Sequence, residues 1–285
     1  MRRVLVVLIL SLAACKPQPR EVVTPAMWEV TGDRGEQAWL FGTIHALPAP
    51  VEWRSAQVEV ALAGSDRLVL EIANIDNQAA LSQIFARLAA SPGQPPLETR
   101  VSRKVRPQLL ALMREFKLDP GQFGETETWA AALTIANAAQ AEANAEFGLD
   151  REILSAAKGK PIGELEGAAA QLGLFDAMPE AEQRDLLTAI VVEAAQDTGE
   201  DRLGNAWRTG DLAVMEAEAR AGMLADPELH QALLTDRNNA WANRLSVMLQ
   251  QGARPLVAVG ALHLVGVDGL PALLTARGYK VRRLQ

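Results

Sequence analysis

Gln37-Ala38-Trp39-Leu40-Phe41-Gly42-Thr43-Ile44-His45 is an apolar run that breaks at a glycine and ends on a histidine. The pattern returns near the far end of the chain as Pro255-Leu256-Val257-Ala258-Val259-Gly260-Ala261-Leu262-His263. A short apolar run bounded by turn residues reads as a buried strand. Two of the three histidines therefore follow strand ends in matched Gly-x-x-His settings. Imidazole is the commonest protein ligand for a borderline metal and the usual proton carrier near neutral pH. A glycine beside it lets the backbone turn sharply or approach another segment closely. Both histidines can project from strand ends into one cleft.

Working outward, Met27-Trp28-Glu29-Val30-Thr31 and Gln37 to Phe41 read as two strands around the turn Gly32-Asp33-Arg34-Gly35. Arg67-Leu68-Val69-Leu70 gives a third strand, with Glu71 at its end. From about residue 76 to about 250, alanine, leucine, glutamate and glutamine recur at helical spacing between punctuators such as Ser91 to Pro96 and Asp119-Pro120-Gly121. One interruption, Lys160-Pro161-Ile162-Gly163-Glu164-Leu165-Glu166, reads as a strand that again ends in a carboxylate. The chain closes with the strand Pro255 to Val259, a helix over Leu270 to Ala276 and a last strand over Tyr279 to Leu284. The expectation is an α/β (α+β) fold, with a central sheet built from N- and C-terminal strands and flanked by a largely helical middle segment.

The first residues carry a different signal. Met1-Arg2-Arg3, the apolar stretch Val4 to Leu10 and Leu12-Ala13-Ala14-Cys15 have the layout of a secretory signal. The apolar stretch is too short for a transmembrane helix. Leu-Ala-Ala-Cys resembles the bacterial lipoprotein processing site, and Cys15 is the only cysteine in 285 residues. The expected organisation is a signal peptide over 1–14, a lipid-anchored tether over 15–26 containing three prolines, and a single domain over 27–285. Acylation of Cys15 makes the membrane a partner. Lys16 stands where an aspartate acts as the inner-membrane retention mark, so the expected location is the outer membrane of a Gram-negative bacterium, facing the periplasm. With net charge −7 and no basic cluster after the signal, nucleic acid is not an expected partner.

A hydrolytic metal site needs about three protein ligands and an open position. His45, His263 and Glu71 supply two nitrogens and a carboxylate, although no short-range metal motif links them. The alternative is two strand-end histidines bonded to backbone and an acid that caps a helix. Asp226-Pro227 starts a helix expected to run to Gln250, and Arg237 falls on its apolar stripe with Leu234, Trp241, Leu245 and Met248. An arginine there needs an anionic partner. It is either a clamp for a substrate oxyanion or the partner of Glu71 or Glu166. Asp150 reads as a helix N-cap and His230 as a packing or surface histidine. The six tryptophans are scattered without repeat and read as core or rim anchors. No Gly-x-Ser-x-Gly or phosphate-cradling loop appears.

At these residues the chain resembles the TraB/GumN family, whose animal relatives include the Tiki membrane-bound proteases. Leu40-Phe41-Gly42-Thr43-Ile44-His45 is similar to the family's opening block, and Leu70-Glu71 falls where the family has a strand-end glutamate. Gly148-Leu149-Asp150, Lys160-Pro161 with Leu165-Glu166, and Trp207 with Gly210-Asp211 resemble its middle blocks. Asp236-Arg237-Asn238, with aspartate in place of glutamate, and Val259-Gly260-Ala261-Leu262-His263 resemble its closing blocks. The resemblance implies an α/β fold with the two Gly-x-x-His motifs facing each other and a divalent-metal-dependent, peptidase-like hydrolase. Carried over, His45 and His263 become metal ligands, Glu71 a ligand or general base, and Arg237 a transition-state clamp. The expected site is then a divalent ion held by His45, Glu71 and His263, with Glu71 or Glu166 managing the proton and Arg237 steadying oxyanion charge. The ion is manganese, cobalt or zinc, and the substrate a peptide or small molecule. The competing expectation is a non-catalytic periplasmic lipoprotein that binds a metal or ligand or docks a partner.

Overall fold

The computed structural model describes residues 20–139, 147–196 and 201–285. Cys15 and the proposed signal lie outside the described residues. In chain order the strands are β1 (Glu21–Val22), β2 (Met27–Thr31), β3 (Gln37–Thr43), β4 (Val51–Glu52), β5 (Arg67–Leu70), β6 (Ile162–Glu164), β7 (Pro255–Gly260) and β8 (Lys280–Arg283). Six of them form one sheet in the order β6-β5-β7-β3-β2-β8, with β6, β5, β7 and β3 mutually parallel and β2 antiparallel to both β3 and β8. The fold is mixed α/β, with helices flanking this sheet.

The sheet is assembled from distant segments because its central strands are apolar on both faces. Leu40 and Phe41 on β3, Leu68 and Val69 on β5, and Val257, Ala258 and Val259 on β7 are all buried. Only helices on both sides can keep such strands dry. The edge strand β8 is mostly exposed and carries Lys280, Arg282 and Arg283, charges that discourage edge-to-edge pairing. All four parallel strands point their C-terminal ends to the same side. That is where ligands bind in open α/β sheets.

Two expectations are corrected. Residues 21–26 are not a free tether: β1 pairs in parallel with β4, the Val23 N–H donates to Glu52 O at 2.9 Å, and Val23 and Ala26 are buried. Apolar residues at alternate positions gave this segment a surface to dock, which its prolines concealed. The helix over 227–250 starts as expected at Asp226, whose side chain accepts from the Glu228 and Leu229 N–H groups. It is interrupted by a π-helical turn over Gln231–Thr235 before resuming as Asp236–Gln250. Wide turns of this kind concentrate at functional sites, and this one immediately precedes Arg237. Arg237, Trp241 and Leu245 are buried, as the apolar stripe requires.

Candidate active site

The site is built from four strand ends. On β3, the chain reaches Thr43 and turns out to His45. The turn is fixed from outside by Trp207 Nε1, which donates to Gly42 O at 3.0 Å, and by the Leu149 N–H, which donates to Ile44 O at 2.9 Å. A Cβ on Gly42 would lie 3.3 Å from Ala261 Cβ, so glycine relieves a tight approach there. On β5, Glu71 follows Leu70. Its carbonyl accepts from the Glu166 and Gly167 N–H groups, so the β5–β6 ladder continues into the turn that carries Glu166. On β7, the Gly260 N–H donates to Glu71 Oε1 at 2.7 Å, and a 3-10 turn over Ala261–Leu264 brings His263 back towards the same carboxylate.

Arg237 stands at the centre. Nε donates to both Glu166 oxygens at 3.1 Å, Nη2 to Glu71 Oε2 at 2.8 Å and also to Glu166, and Nη1 to Leu233 O at 3.0 Å and to His263 Nε2 at 3.1 Å. The Leu233 carbonyl belongs to the π-helical turn. The guanidinium lies 4.6 Å from the Trp241 ring, and Trp241 Nε1 completes Glu166 at 3.2 Å. Burial opposes the Arg237 charge, but Glu166 and Glu71 outweigh it and raise its pKa. Of the two roles expected of it, the geometry shows the ion pair, made with Glu71 and Glu166 alike.

Each histidine is oriented through Nδ1. His263 Nδ1 lies 2.7 Å from Asn238 Oδ1, and Asn238 Nδ2 donates to Asp268 O at 2.9 Å. His45 Nδ1 lies 2.7 Å from Asp150 Oδ2, whose other oxygen accepts from Thr43 Oγ1 at 2.6 Å. An oxygen acceptor at Nδ1 assigns a proton to that nitrogen and turns the Nε2 edge of each ring towards the site. Both rings and Glu71 surround Gly260: a Cβ there would lie 3.3 Å from Glu71 Oε1, 3.7 Å from His45 Nε2 and 3.7 Å from His263 Cδ2.

The electrostatics separate the roles. Burial pushes the His263 pKa down to about 3. For Glu71, burial opposes ionisation, while His263, His45, Arg237 and the Gly260 N–H favour it and prevail, holding the carboxyl at about 2. Because Arg237 donates into His263 Nε2, His263 is the neutral partner, and the charges that steady Glu71 are those of His45 and Arg237. Asp150 raises the His45 pKa against desolvation; with 69% of its side chain exposed, solvent screens that attraction.

The donor set suits a borderline divalent ion, and Gly260 leaves open the space between the donors. In this arrangement the lone pair of His263 is taken by Arg237, and His263 Nε2 is 4.0 Å from Glu71 Oε1. Among the described residues no three metal-ligating side chains are already in coordination geometry.

The structure thus brings together all five residues named from the sequence, His45, Glu71, Glu166, Arg237 and His263. It also shows what sequence reasoning missed. Asp150 is not an N-cap; Gly148 holds that position and Asp150 lies in the first helical turn, aimed at His45. Asn238, next to Arg237, holds His263 through Nδ1. His230 is more than a packing residue, with Nε2 2.8 Å from Asp268 Oδ2. None of these pairings has a local sequence signal except the adjacency of Asn238 to Arg237.

Taken together, a C-terminal-edge site on a mixed α/β sheet with paired Gly-x-x-His turns defines a class of protein. The chain belongs to the TraB/PrgY/gumN family, whose pattern it matches over residues 26–283. It is similar to the uncharacterized protein YbaP of Shigella flexneri, 28% identical over 256 residues, covering 86% of this chain and 90% of that protein. It is also similar to the uncharacterized protein YbaP of Escherichia coli (strain K12), 29% identical over 245 residues, covering 82% and 86% respectively. No solved structure matches the chain.

Proposed function

We propose that this protein is a divalent-metal-dependent hydrolase with His45, Glu71 and His263 as the ligands. The observation that carries the reading is the paired orientation of the histidines. Each gives Nδ1 to an oxygen acceptor at 2.7 Å, Asp150 or Asn238; His45 Nε2 borders the space at Gly260, and His263 Nε2 meets Arg237 4.0 Å from Glu71 Oε1. Metal-ligating histidines are held in this way. Manganese, cobalt and zinc all suit two imidazoles and a carboxylate.

A divalent ion bound there supplies Lewis-acid polarisation of a substrate carbonyl and acidification of water. The residues of the chain do the rest. Glu71, with its carboxyl held at about 2, is an anion throughout the physiological range. That suits a ligand better than a proton carrier, whose pKa belongs near the working pH. Glu166 is left to manage the proton, 11% exposed and already bridged to Arg237 and Trp241. Arg237 keeps positive charge beside the reacting centre and steadies an oxyanion as it forms. Cys15 is the acylation site in this reading, which tethers the enzyme to the outer membrane on its periplasmic side. Among the described residues no helix is long and apolar enough to cross a membrane.

One observation favours a second reading, a non-catalytic binding protein: Arg237 already satisfies the His263 lone pair without any ion. Metal analysis by mass spectrometry on the full chain, extracted in mild detergent without chelator or nickel affinity steps, decides between them. About one divalent ion per chain, lost in a His45→Ala/His263→Ala double variant, is the expected result. No ion in either protein, with no thermal shift on adding manganese, cobalt or zinc, sinks the metal reading. Glu71→Gln then separates the roles, because it abolishes turnover in a hydrolase but leaves part of the ligand affinity in a binding protein.

A further inference from the structure

A cavity of about 200 Å³ opens beside the cluster. His45, Glu71, Asp150, Arg151 and Gln78 line it with polar groups, and Leu70, Ile72, Ile75 and Leu81 line it with aliphatic ones. Ile72, Ile75 and Leu81 are half-buried, and they belong neither to the buried core nor to the shell of apolar side chains packed against it. Leu81 lies on the helix Gln78–Ala89, which buries only Ala89 fully. Aliphatic side chains that the fold leaves out of its core, gathered beside a polar cluster in a concave site, make a ligand surface.

The aliphatic lining is held in register with the chemistry. Arg151 donates to Ile75 O at 3.2 Å and to Asp76 Oδ1 at 3.3 Å, which ties the loop after Glu71 to the first turn of the helix Leu149–Ala156. The preceding residue, Asp150, holds His45. One helical turn therefore positions both the histidine and the apolar wall.

The size limits the occupant. An apolar cavity of about 150 Å³ accepts benzene, while whole ligands of drug size occupy about 300–1,000 Å³. The cavity holds one compact apolar group and leaves the rest of its molecule outside. Resting on the hydrolase reading above, we propose that it seats the apolar group adjoining the bond to be cut. The substrate is then a carboxylic ester or amide bearing a branched aliphatic or phenyl group, and Ile75 and Leu81 set its size limit. In the reaction, water adds its oxygen to the carbonyl carbon, the C–O or C–N bond breaks, and the departing oxygen or nitrogen takes the proton.

The test separates pocket from chemistry. Acetamide, isovaleramide, phenylacetamide and 2-naphthylacetamide are titrated by ligand-observed NMR against the full chain in lipid nanodiscs, with empty nanodiscs as reference. Affinity is expected to rise about fourfold per added methylene up to isovaleramide, hold at phenylacetamide and fall for the naphthyl compound. Ile75→Trp, which fills the cavity from a half-buried position, removes the gain, and Leu81→Ala restores the naphthyl compound. A flat series, no binding by any amide, or an Ile75→Trp protein that binds isovaleramide like the wild type overturns the proposal. Metal content is measured on the same samples. A size-dependent series on protein without metal keeps the pocket and sinks the hydrolase reading, whereas bound metal with a flat series does the reverse. Isovaleryl p-nitrophenyl ester and isovaleryl p-nitroanilide, offered to the metal-loaded chain, then distinguish esterase from amidase.

Discussion

Replacing Arg237 by methionine keeps most of the side-chain volume and removes the one charge that both glutamates share. Glu71 and Glu166, with side chains only 7% and 11% exposed, are then left facing each other without a cation. Breaking a buried ion pair from one side costs about 3–5 kcal/mol. Glu71 itself is held at about 2, below the ordinary carboxylate value, and Arg237 is one of the groups that lower it against burial. The sign follows from a folded-state pKa below the unfolded one. The stabilisation is complete above about pH 4.5 and is lost as the pH falls towards 2. In Arg237→Met, burial acts on Glu71 with less opposition, so its pKa rises, and lowering the pH towards 5 recovers stability instead of removing it. Urea unfolding of the metal-free protein, followed by tryptophan fluorescence from pH 3 to 7, reads both effects, because Trp241 lies against the Arg237 guanidinium and the His263 ring. Comparing the two proteins at each pH cancels the remaining carboxylates. Adding Glu71→Gln to Arg237→Met restores part of the loss, since a neutral amide needs no cation. A loss below about 1 kcal/mol at pH 7, or a double variant no better than the single one, would refute this account of the charge network.

Three other outcomes follow from the geometry. Gly260→Ala places a Cβ 3.3 Å from Glu71 Oε1, among the three candidate donors; it is expected to fold with a melting temperature within a few degrees of wild type yet to hold metal at least about tenfold more weakly, measured by competition with a chelating dye. Asp150→Asn removes the carboxylate behind His45, so the His45 pKa falls back towards its ordinary value in an NMR titration of the metal-free protein, and an unchanged titration would contradict the pairing. Trp207→Phe deletes the buried donor to Gly42 O and is expected to cost about 1–3 kcal/mol, read as a lower urea midpoint.

Much of the sheet was readable because strand and helix carry different periods. Runs such as Leu256 to Val259 have no polar face, which announces a strand covered on both sides. The last strand and the helix over Leu270–Ala276 fall where turn glycines place them. The docked segment 21–26 was hidden because pairing between β1 and β4 needs a partner surface that no local pattern describes. The π-helical turn was invisible for a related reason: Gln231–Thr235 has ordinary helical composition, and the extra residue per turn is tolerated because the turn's Leu233 carbonyl can accept from Arg237.

For the site, the sequence by itself determined which side chains had reason to meet. Two histidines in matched Gly-x-x-His turns, carboxylates at the ends of two strands and an arginine inside an apolar helical stripe each state a local need for a polar partner. The tertiary structure alone decided who meets whom. Asp150 reaches His45 across 105 positions and Asn238 reaches His263 across 25, and neither residue differs locally from the many aspartates and asparagines that cap helices or face water. Hydrogen bonding acts over about 3 Å of space and takes no account of separation along the chain, so only the packed sheet could turn five plausible residues into one charge network.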